Sequence, residues 1–242
     1  MDAAAPEKDF YHDEQELFRS FKDAGFRPRT IFDVGCAHSG WSYSISQIFP
    51  DAEFHLFEPL ADKKPHYRDN IQGVVGRRPN FFLHKIALGS VDGTIKMVSD
   101  EPGHGASTLL QEVCGDLNEV FEVPMHRLDT MISKFKLPKP DLLKIDVQGA
   151  ELEVLKGARS VLKRVQLIQL EAWLRREYLG RTPLLHEIVE FLRKRKFKVF
   201  DLGGYFFNDV HELYALDAYF ARTKLLQKIG THLKTGHLGD ES

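Results

Sequence analysis

The sequence contains little of what marks a disulfide-stabilised, membrane-spanning or polyanion-binding protein. Cysteine occurs only at Cys36 and Cys114, too few for a disulfide framework, and we interpret both as free thiols. No apolar run approaches the roughly 18 residues of a membrane span, and residues 1–18 lack the basic and apolar regions of a secretory signal, so we expect a cytoplasmic protein without a membrane span. The formal net charge of −2 provides no general attraction to nucleic acid, which we do not expect as a partner.

What the sequence does contain is the composition of a globular protein, with 43% hydrophobic and 28% charged residues. A chain of 242 residues can bury an ordinary core and lies within the range of single α/β domains. We therefore predict one domain over 1–242, divided into an N-terminal helix and extension (1–29), a core (30–222) and a C-terminal tail (223–242).

Strand-like and helix-like apolar patterns alternate along the chain. Short apolar runs predict strands over 30–34, 53–57, 81–87, 142–146, 167–171 and 198–201. Apolar residues three and four positions apart predict helices over 13–26, 41–49, 150–162 and 184–196. The alternation is typical of a doubly wound α/β sheet, which begins parallel because the first strand, helix and strand form a βαβ unit. Two further apolar runs, 200–207 and 218–222, predict an antiparallel pair at the end.

The segment 93–123 interrupts this alternation with short strand-like pieces separated by glycines. We interpret it as an inserted β-hairpin or lid. Few large apolar residues anchor it, so we expect it to be mobile until ligands bind.

A glycine-containing loop connects the first strand of the core to its first helix. Gly35 and Gly40 allow the backbone to approach a ligand closely, and the helix N-terminus behind them presents unpaired N–H groups. A nucleotide-like ligand fits such a loop. The spacing matches neither G-x-G-x-x-G nor a P-loop, which disfavours NAD and ATP.

Glu58 ends the second predicted strand, where a carboxylate can accept both hydroxyls of a ribose. The plainer interpretation makes 33–35 a tight turn and Glu58 a surface acid before a proline. A nicotinamide-binding Rossmann enzyme uses the same acidic position, so the loop and Glu58 alone leave the cofactor open.

Three stretches of sequence carry a resemblance that chooses between these alternatives. Residues 32–40 (FDVGCAHSG) look like the first motif of class I methyltransferases. Residues 143–151 (LKIDVQGAE) and 154–158 (VLKGA) closely resemble the signature of the FkbM methyltransferase family. The segments 57–59, 87–89, 107–109 and 123–129 follow in the family's order, so the resemblance extends over 30–222.

The resemblance implies a Rossmann-like sheet of seven strands with the last strand antiparallel, and S-adenosylmethionine as the cofactor. Asp33, Gly35 and Gly40 would bracket the amino-acid part of the cofactor. Glu58 would bind its ribose and Ile86–Ala87 its adenine. The full set of implied cofactor-binding residues is Asp33, Gly35, Cys36, His38, Gly40, Trp41, Glu58, Ile86, Ala87 and Asp146.

The chain departs from the family pattern at three positions. His38 stands where asparagine is common, and Gln148 where glutamate is common. Trp173 stands two residues beyond Glu171, where the family has histidine, and argues against a family-like acid/base or metal role at that position. His38 is compatible both with cofactor contact and with a histidine held by loop backbone.

Three acids are candidates for removing the proton of an acceptor hydroxyl during methyl transfer. Asp146 ends a strand at the edge where doubly wound sheets hold their ligands, between cofactor and substrate, and Glu171 ends the next strand at the same edge. Glu151 begins the following helix, where an acid also stabilises the helix dipole without any catalytic role.

A divalent metal could assist such a reaction. Asp146, Glu171 and a loop histidine such as His104 could form an oxygen-rich site, but no contiguous ligand motif supports one, and we predict no metal. The basic run 193–196 fits a solvated helix C-terminus better than a nucleic-acid site.

These inferences lead to an enzyme whose catalytic core, 30–222, methylates a hydroxyl of a sugar, glycan or secondary metabolite, so we expect a small-molecule or glycan acceptor. Two alternatives stay open. One is a nicotinamide-binding oxidoreductase, disfavoured by the missing third glycine and the missing Tyr-x-x-x-Lys pair. The other is a non-catalytic cofactor-binding module. The sequence indicates neither the acceptor's identity nor an oligomeric state.

Overall fold

The structure, a computed structural model, describes residues 13–99, 107–108, 119–177 and 182–236. Its strands are, in chain order, β1 (Thr30–Val34), β2 (Glu53–Phe57), β3 (Phe81–His84), β4 (Ala87–Leu88), β5 (Gly93–Ser99), β6 (Ser107–Thr108), β7 (Glu119–His126), β8 (Leu142–Ile145), β9 (Leu167–Trp173), β10 (Phe197–Phe207) and β11 (Leu213–Arg222). Its helices are α1 (Glu14–Asp23), α2 (Gly40–Ile48), α3 (Pro65–Val75), α4 (Leu128–Lys134), α5 (Glu151–Gly157), α6 (Leu185–Arg193) and α7 (Thr223–Gly236).

Seven of these strands form the central sheet, in the order β10, β11, β9, β8, β1, β2, β3. Strand β11 runs antiparallel to both of its neighbours, and the other pairs are parallel. The α/β class, the seven strands and the antiparallel last strand are therefore confirmed. The strand order reverses between β8 and β1, and doubly wound sheets bind ligands beyond the carboxyl ends of the strands at such a point.

Helices cover both faces of the central sheet. Helices α1 and α2 contribute Phe18 and Ile45 to an apolar core on one face, which α3 and α7 extend. Helices α5 and α6 contribute Val154 and Ile188 to the core on the other face. Strand β1 is buried at all five residues because both of its faces are covered. Among the residues described, no helix has the length and apolar character that crossing a bilayer requires.

Predicted and observed elements differ most where strand pairing decides the outcome. The run predicted as one strand over 81–87 divides into β3, in the central sheet, and β4, in a second sheet. The predicted strand 198–201 and the first half of the terminal pair are one strand, β10. The predicted tail begins with α7. Helices α3 and α4 have no predicted counterpart, because each buries only two apolar side chains and so shows little periodicity.

Helix α5 is shorter than the predicted helix over 150–162. It ends at Gly157, and a short 3₁₀ turn follows at Val161–Lys163. A Cβ at Gly157 would lie 2.0 Å from the carbonyl oxygen of Gly89. The end of α5 therefore packs backbone against backbone on the segment that follows β4.

The chain after β4 builds a second sheet of four strands, in the order β4, β7, β5, β6. Strands β5 and β7 pair antiparallel from Gly93–Met125 to Ser99–Glu119, which confirms a β-hairpin insertion. Strand β4 follows β3 of the central sheet along the chain and pairs in parallel with β7 of the hairpin. It therefore connects the two sheets. Residues 100–106 and 109–118 lie outside the described residues, and a lid role for 93–123 stays a prediction.

Candidate active site

The loop after β1 is fixed to the ends of both neighbouring strands. Gly35 has a φ of 81°, and a Cβ there would lie 1.8 Å from the carbonyl oxygen of Asp146, so only glycine fits between β1 and the end of β8. The N–H groups of Gly35 and Cys36 both donate to the carbonyl oxygen of Phe57, at 2.9 and 3.2 Å. The close neighbour of Gly35 is thus protein backbone, and the predicted close approach to a ligand stays a prediction.

Helix α2 begins behind this loop without a side-chain cap. Its N-cap residue, Ser39, is left-handed with a φ of 65°, and its hydroxyl donates to the carbonyl oxygen of His38 at 2.6 Å. The first N–H groups of α2 therefore receive no acceptor from the cap side chain. His38 is exposed, and its ring lies against Gly40, where a Cβ would be 2.9 Å from Nε2.

Glu58 links the glycine loop to the turn that follows β2. Its carboxylate accepts hydrogen bonds from the N–H groups of Ala37, at 3.1 Å, and Leu60, at 2.9 Å. Burial raises the pKa of Glu58 to about 7, against the opposing effects of the two backbone N–H groups and of Lys64. The acid predicted to bind a ribose is thus buried and held in one orientation.

A cleft with about 630 Å³ of open space lies beside Glu58, at the carboxyl ends of β1 and β8. Five of the predicted cofactor-binding residues line it: Gly35, Glu58, Ile86, Ala87 and Asp146. Much of the remaining wall is apolar, and its side chains include Phe57, Tyr67, Leu88 and Met97. The structure therefore brings these five predicted residues together around one space.

Five further predicted cofactor-binding residues lie around the cleft rather than in its wall: Asp33, Cys36, His38, Gly40 and Trp41. Asp33 and Cys36 are buried, and burial, reinforced by Asp33, raises the pKa of the Cys36 thiol. The indole N–H of Trp41 donates to Glu14, at 3.1 Å, and to Gln169, at 3.0 Å. Contact between these five residues and a cofactor stays a prediction.

A buried lysine joins Asp33 to Asp146. Lys144 is the register partner of Asp33 in the β1–β8 pair, and its Nζ lies 3.5 Å from Asp33 Oδ1 and 3.2 Å from Asp146 Oδ2. Ser42 donates to the other oxygen of Asp33 at 2.7 Å. Burial disfavours the charge on Lys144, but Asp146 and Asp33 outweigh it and hold the pKa of the lysine above its usual value.

Two of the three candidate bases meet at one side-chain amide. The amide nitrogen of Gln148 donates to Asp146 Oδ1 at 2.9 Å and to Glu171 Oε2 at 3.2 Å. Gln148 occupies a tight turn, with a φ of 53°, and Gly149 follows with a φ of 96°. Burial, then Asp146 and Glu151, raise the pKa of Glu171 to about 9, which favours the protonated form that can donate a hydrogen bond.

Like Glu171, the third candidate, Glu151, does not line the cleft. It is fully buried at the start of α5, and its Oε1 accepts hydrogen bonds from the N–H groups of Val147, at 3.2 Å, and Gly149, at 3.0 Å. Burial raises its pKa to about 7. These contacts let Glu151 hold the turn that carries Gln148.

Sequence reasoning did not single out three polar residues of the site for a role: Lys144, Gln148 and Asp217. Asp217 faces Glu171 in the β9–β11 pair, and burial raises its pKa to about 7. Lys144 has a sequence signal, because it is the charged residue in the apolar strand Leu-Leu-Lys-Ile. Asp217 has none, because its place beside Glu171 depends on the register of β11.

Within the described ranges, no group of three or more histidine, cysteine, aspartate or glutamate residues is placed to hold a metal ion. Cys36 is a free thiol. His104 and Cys114 lie outside the described residues, so predictions about them stay predictions.

A family model described as the methyltransferase FkbM domain matches residues 33–199, more than half of the chain. The chain belongs to the FkbM methyltransferase family. The FkbM match begins at Asp33 and contains the glycine loop, Glu58 and all three candidate bases. The family resemblance predicted from the sequence motifs is therefore confirmed.

Two relatives of this FkbM protein carry methyltransferase names. The 2-O-methyltransferase NoeI of Sinorhizobium fredii is 27% identical over 170 residues, which cover 64% of this chain and 67% of the relative. The hexuronic acid methyltransferase AglP of Haloferax volcanii is 42% identical over 159 residues, which cover 65% of this chain and 62% of the relative. The chain thus spans about two thirds of the length of these curated relatives.

The crystal structure of a methyltransferase FkbM from Methylobacillus flagellatus KT is similar to this chain. The TM-score is 0.53 at 15% sequence identity, over 79% of this chain and 43% of that chain. At this identity the similarity concerns the fold, and it agrees with the Rossmann-like arrangement of the central sheet.

Proposed function

We propose that this FkbM protein is an S-adenosylmethionine-dependent O-methyltransferase that acts on a hydroxyl group of a sugar or glycan. One observation carries the proposal: the glycine loop, Glu58, Ile86–Ala87 and Asp146 line a single cleft at the carboxyl ends of β1 and β8. Doubly wound sheets hold nucleotide-like ligands at this edge. Membership of the FkbM family favours methyl transfer over the nicotinamide alternative.

The wall of the cleft has the chemistry that this cofactor requires. Each carboxylate oxygen of Glu58 accepts one backbone N–H and keeps a second lone pair for a ribose hydroxyl. Leu88 and Met97 offer apolar surface to an adenine ring beside Ile86–Ala87. Gly35 lies in the cleft wall, where we place the amino-acid end of the cofactor. When bound, S-adenosylmethionine supplies a methyl group on a positively charged sulfur.

The names of the two relatives support the acceptor class. One name specifies 2-O-methyl transfer and the other specifies a hexuronic acid. A hydroxyl of a sugar, either free or within a glycan, is therefore the acceptor that we favour. A cytoplasmic place of action belongs to the same proposal.

Asp146 is the acid to which we assign the acceptor's proton. It lines the cleft with 37% of its side chain exposed, whereas Glu151 is fully buried and occupied by two backbone N–H groups. The hydroxyl proton passes to the Asp146 carboxylate as the acceptor oxygen takes the methyl group, and a methyl ether is formed.

Glu171 has a complementary role in this proposal. Its pKa of about 9 leaves it protonated at neutral pH, so it offers a hydrogen-bond donor beside the Asp146 acceptor. One donor and one acceptor, joined through the amide of Gln148, can orient a hydroxyl group for attack.

Calorimetric titration with S-adenosylmethionine, S-adenosylhomocysteine and NAD tests the cofactor assignment. We expect the first two to bind and NAD not to bind. Comparison of sugars and glycans from cells with and without the protein then tests the acceptor class. A sugar that gains one methyl group on oxygen supports the proposal. Binding of NAD alone, or methylation confined to nitrogen, contradicts it.

A further inference from the structure

Lys144 has an unusual environment for a lysine. It is the charged residue of the apolar strand β8, and its side chain is 10% exposed. Its register partners are Asp33 on β1 and Gln169 on β9. The ring of Trp41 covers its ammonium group, with 5.6 Å between Nζ and the ring centroid. A cation so shielded from water depends on fixed anionic partners.

Two carboxylates contact the ammonium group, Asp33 at 3.5 Å and Asp146 at 3.2 Å. Further carboxyl groups surround this trio from the neighbouring elements α1, α5, β9 and β11: Glu14, Glu151, Glu171 and Asp217. Lys144 lowers the pKa values of Glu171 and Asp217, whereas Asp146 raises both. Lys144 therefore counteracts the effect of Asp146 on Glu171 and Asp217.

Stability alone does not account for a lysine in this position. Burying an ion pair removes hydration that the attraction recovers only in part, and well-packed apolar residues often replace such pairs without loss of stability. The charge is instead directed at Asp146, the acid that lines the cleft.

We propose that Lys144 is a positioning residue for methyl transfer, which fixes the Asp146 carboxylate at the cleft and supplies the positive charge beside it. The inference rests on the proposed function, because a positioned base is needed only if an acceptor loses a proton. Lys144 itself reaches neither the cleft wall nor the reacting atoms.

The contacts of Asp146 explain how the positioning works. Lys144 holds Oδ2 and Gln148 holds Oδ1, so the carboxylate cannot rotate freely and keeps its remaining lone pairs for an acceptor. Gln148 also donates to Glu171, so two negative charges at this amide would repel each other. The ammonium group of Lys144, 3.2 Å from Asp146, attracts the negative charge to that acid.

The side-chain amide of Gln148 offers a probe that needs neither cofactor nor acceptor. Its two amide protons face the two acids, so their NMR signals in ¹⁵N-labelled protein shift when an acid gains a proton. In Lys144→Met, we expect the midpoint of this pH titration to move up by about 1–3 pH units, because a carboxyl group without its cation is easier to protonate. Lys144→Arg keeps the charge and should titrate like the wild type.

Lys156→Met is the matched control, since Lys156 is a half-exposed lysine paired with Glu153 on α5. This variant should leave the Gln148 titration unchanged. An unchanged midpoint in folded Lys144→Met overturns the proposal. If circular dichroism shows that Lys144→Met does not fold, the same titration is measured on Lys144→Gln, which also lacks the charge. If neither variant folds, Lys144 is a structural residue and the proposal is wrong.

The titration and the proposed function can fail separately. If the wild type binds no S-adenosylmethionine, the proposed function is contradicted while the Gln148 titration still reports on Lys144. Once an acceptor is identified, the rate of methyl transfer can be measured against pH. The acid limb of this profile should move up by about 1–3 pH units in Lys144→Met, as in the titration. A loss of rate that is equal at every pH would indicate a structural role instead.

Discussion

The two walls of the cleft are held in different ways. The side to which we assign the cofactor, called the cofactor wall and formed by Gly35, Ala37 and Glu58, is fixed by hydrogen bonds to backbone N–H groups. The side to which we assign the acceptor, called the acceptor wall, consists of Asp146 with Glu171 behind it and is fixed by side chains and charges from strands far apart in the sequence. A wall held by backbone hydrogen bonds tolerates changes of neighbouring side chains. A wall built on charges depends on each single charge.

Removing the charge of Asp146 should have the largest effect. Asp146→Asn is expected to lower the rate of methyl transfer by about 10²–10⁴-fold, because a base contributes mainly in the transition state. The affinity for S-adenosylmethionine, measured by calorimetry, should stay nearly unchanged. Asp69→Asn, at an exposed position of α3, serves as the control. If the variant loses affinity for the cofactor but keeps its rate at saturating cofactor, Asp146 belongs to the cofactor wall, and the contrast between the two walls is wrong.

Gly35 is the point at which the two walls touch, and Gly35→Ala should disturb both. The added Cβ meets the Asp146 carbonyl oxygen at 1.8 Å and requires a positive φ, so we expect the free energy of unfolding to fall by about 2–4 kcal/mol. Gly73→Ala in α3, where nothing lies within 4 Å, should instead be neutral or stabilising. Urea denaturation of both variants checks this, and equal stabilities would show that the loop can rearrange.

Glu58→Ala should weaken the cofactor wall alone. We expect the binding of S-adenosylmethionine to lose about 1–3 kcal/mol, the usual result of removing a hydrogen-bonded charged partner. Glu53→Ala, at the exposed start of the same strand, is the control. Calorimetric affinities that are equal for the two variants would exclude Glu58 from the cofactor site.

A smaller effect should come from a histidine pair outside both walls. His55 Nδ1 and His84 Nε2 lie 3.0 Å apart between β2 and β3, and burial, with His84, lowers the pKa of His55 to about 4. The unfolded chain binds the proton first, so stability should fall by about 1–3 kcal/mol as the pH drops from about 6.5 towards 4. Urea denaturation at several pH values should show a weaker slope for His55→Phe. An equal slope would assign the pH dependence of stability to the carboxyl groups of the acceptor wall.

The difference between the two walls also explains which parts of the fold and of the site could be predicted from the sequence. Strands β1 and β2 have the predicted bounds, because their apolar runs end at glycine or at Glu58–Pro59. Gly35 and Glu58 lie within that local stretch, so their places at the ends of β1 and β2 were predictable, whereas their contact with a cofactor stays a prediction. The division between β3 and β4 depends on which strand each half pairs with, and a single apolar run does not reveal it. The contacts of Lys144 likewise depend on the register of β1 against β8.

The contact between Gly157 and Gly89 has a consequence for recombination among relatives. Gly157 ends the helix that begins at Glu151, and Gly89 follows the strand that carries Ala87 in the cleft. With 2.0 Å between a hypothetical Cβ and this backbone carbonyl oxygen, only glycine fits at position 157 as long as the backbone at residue 89 keeps its place. The hairpin segment 93–123 begins beyond this joint. A chimaera that replaces only that segment keeps this joint but exchanges Met97, which lines the cleft, so we expect the fit of the adenine to change together with the acceptor preference.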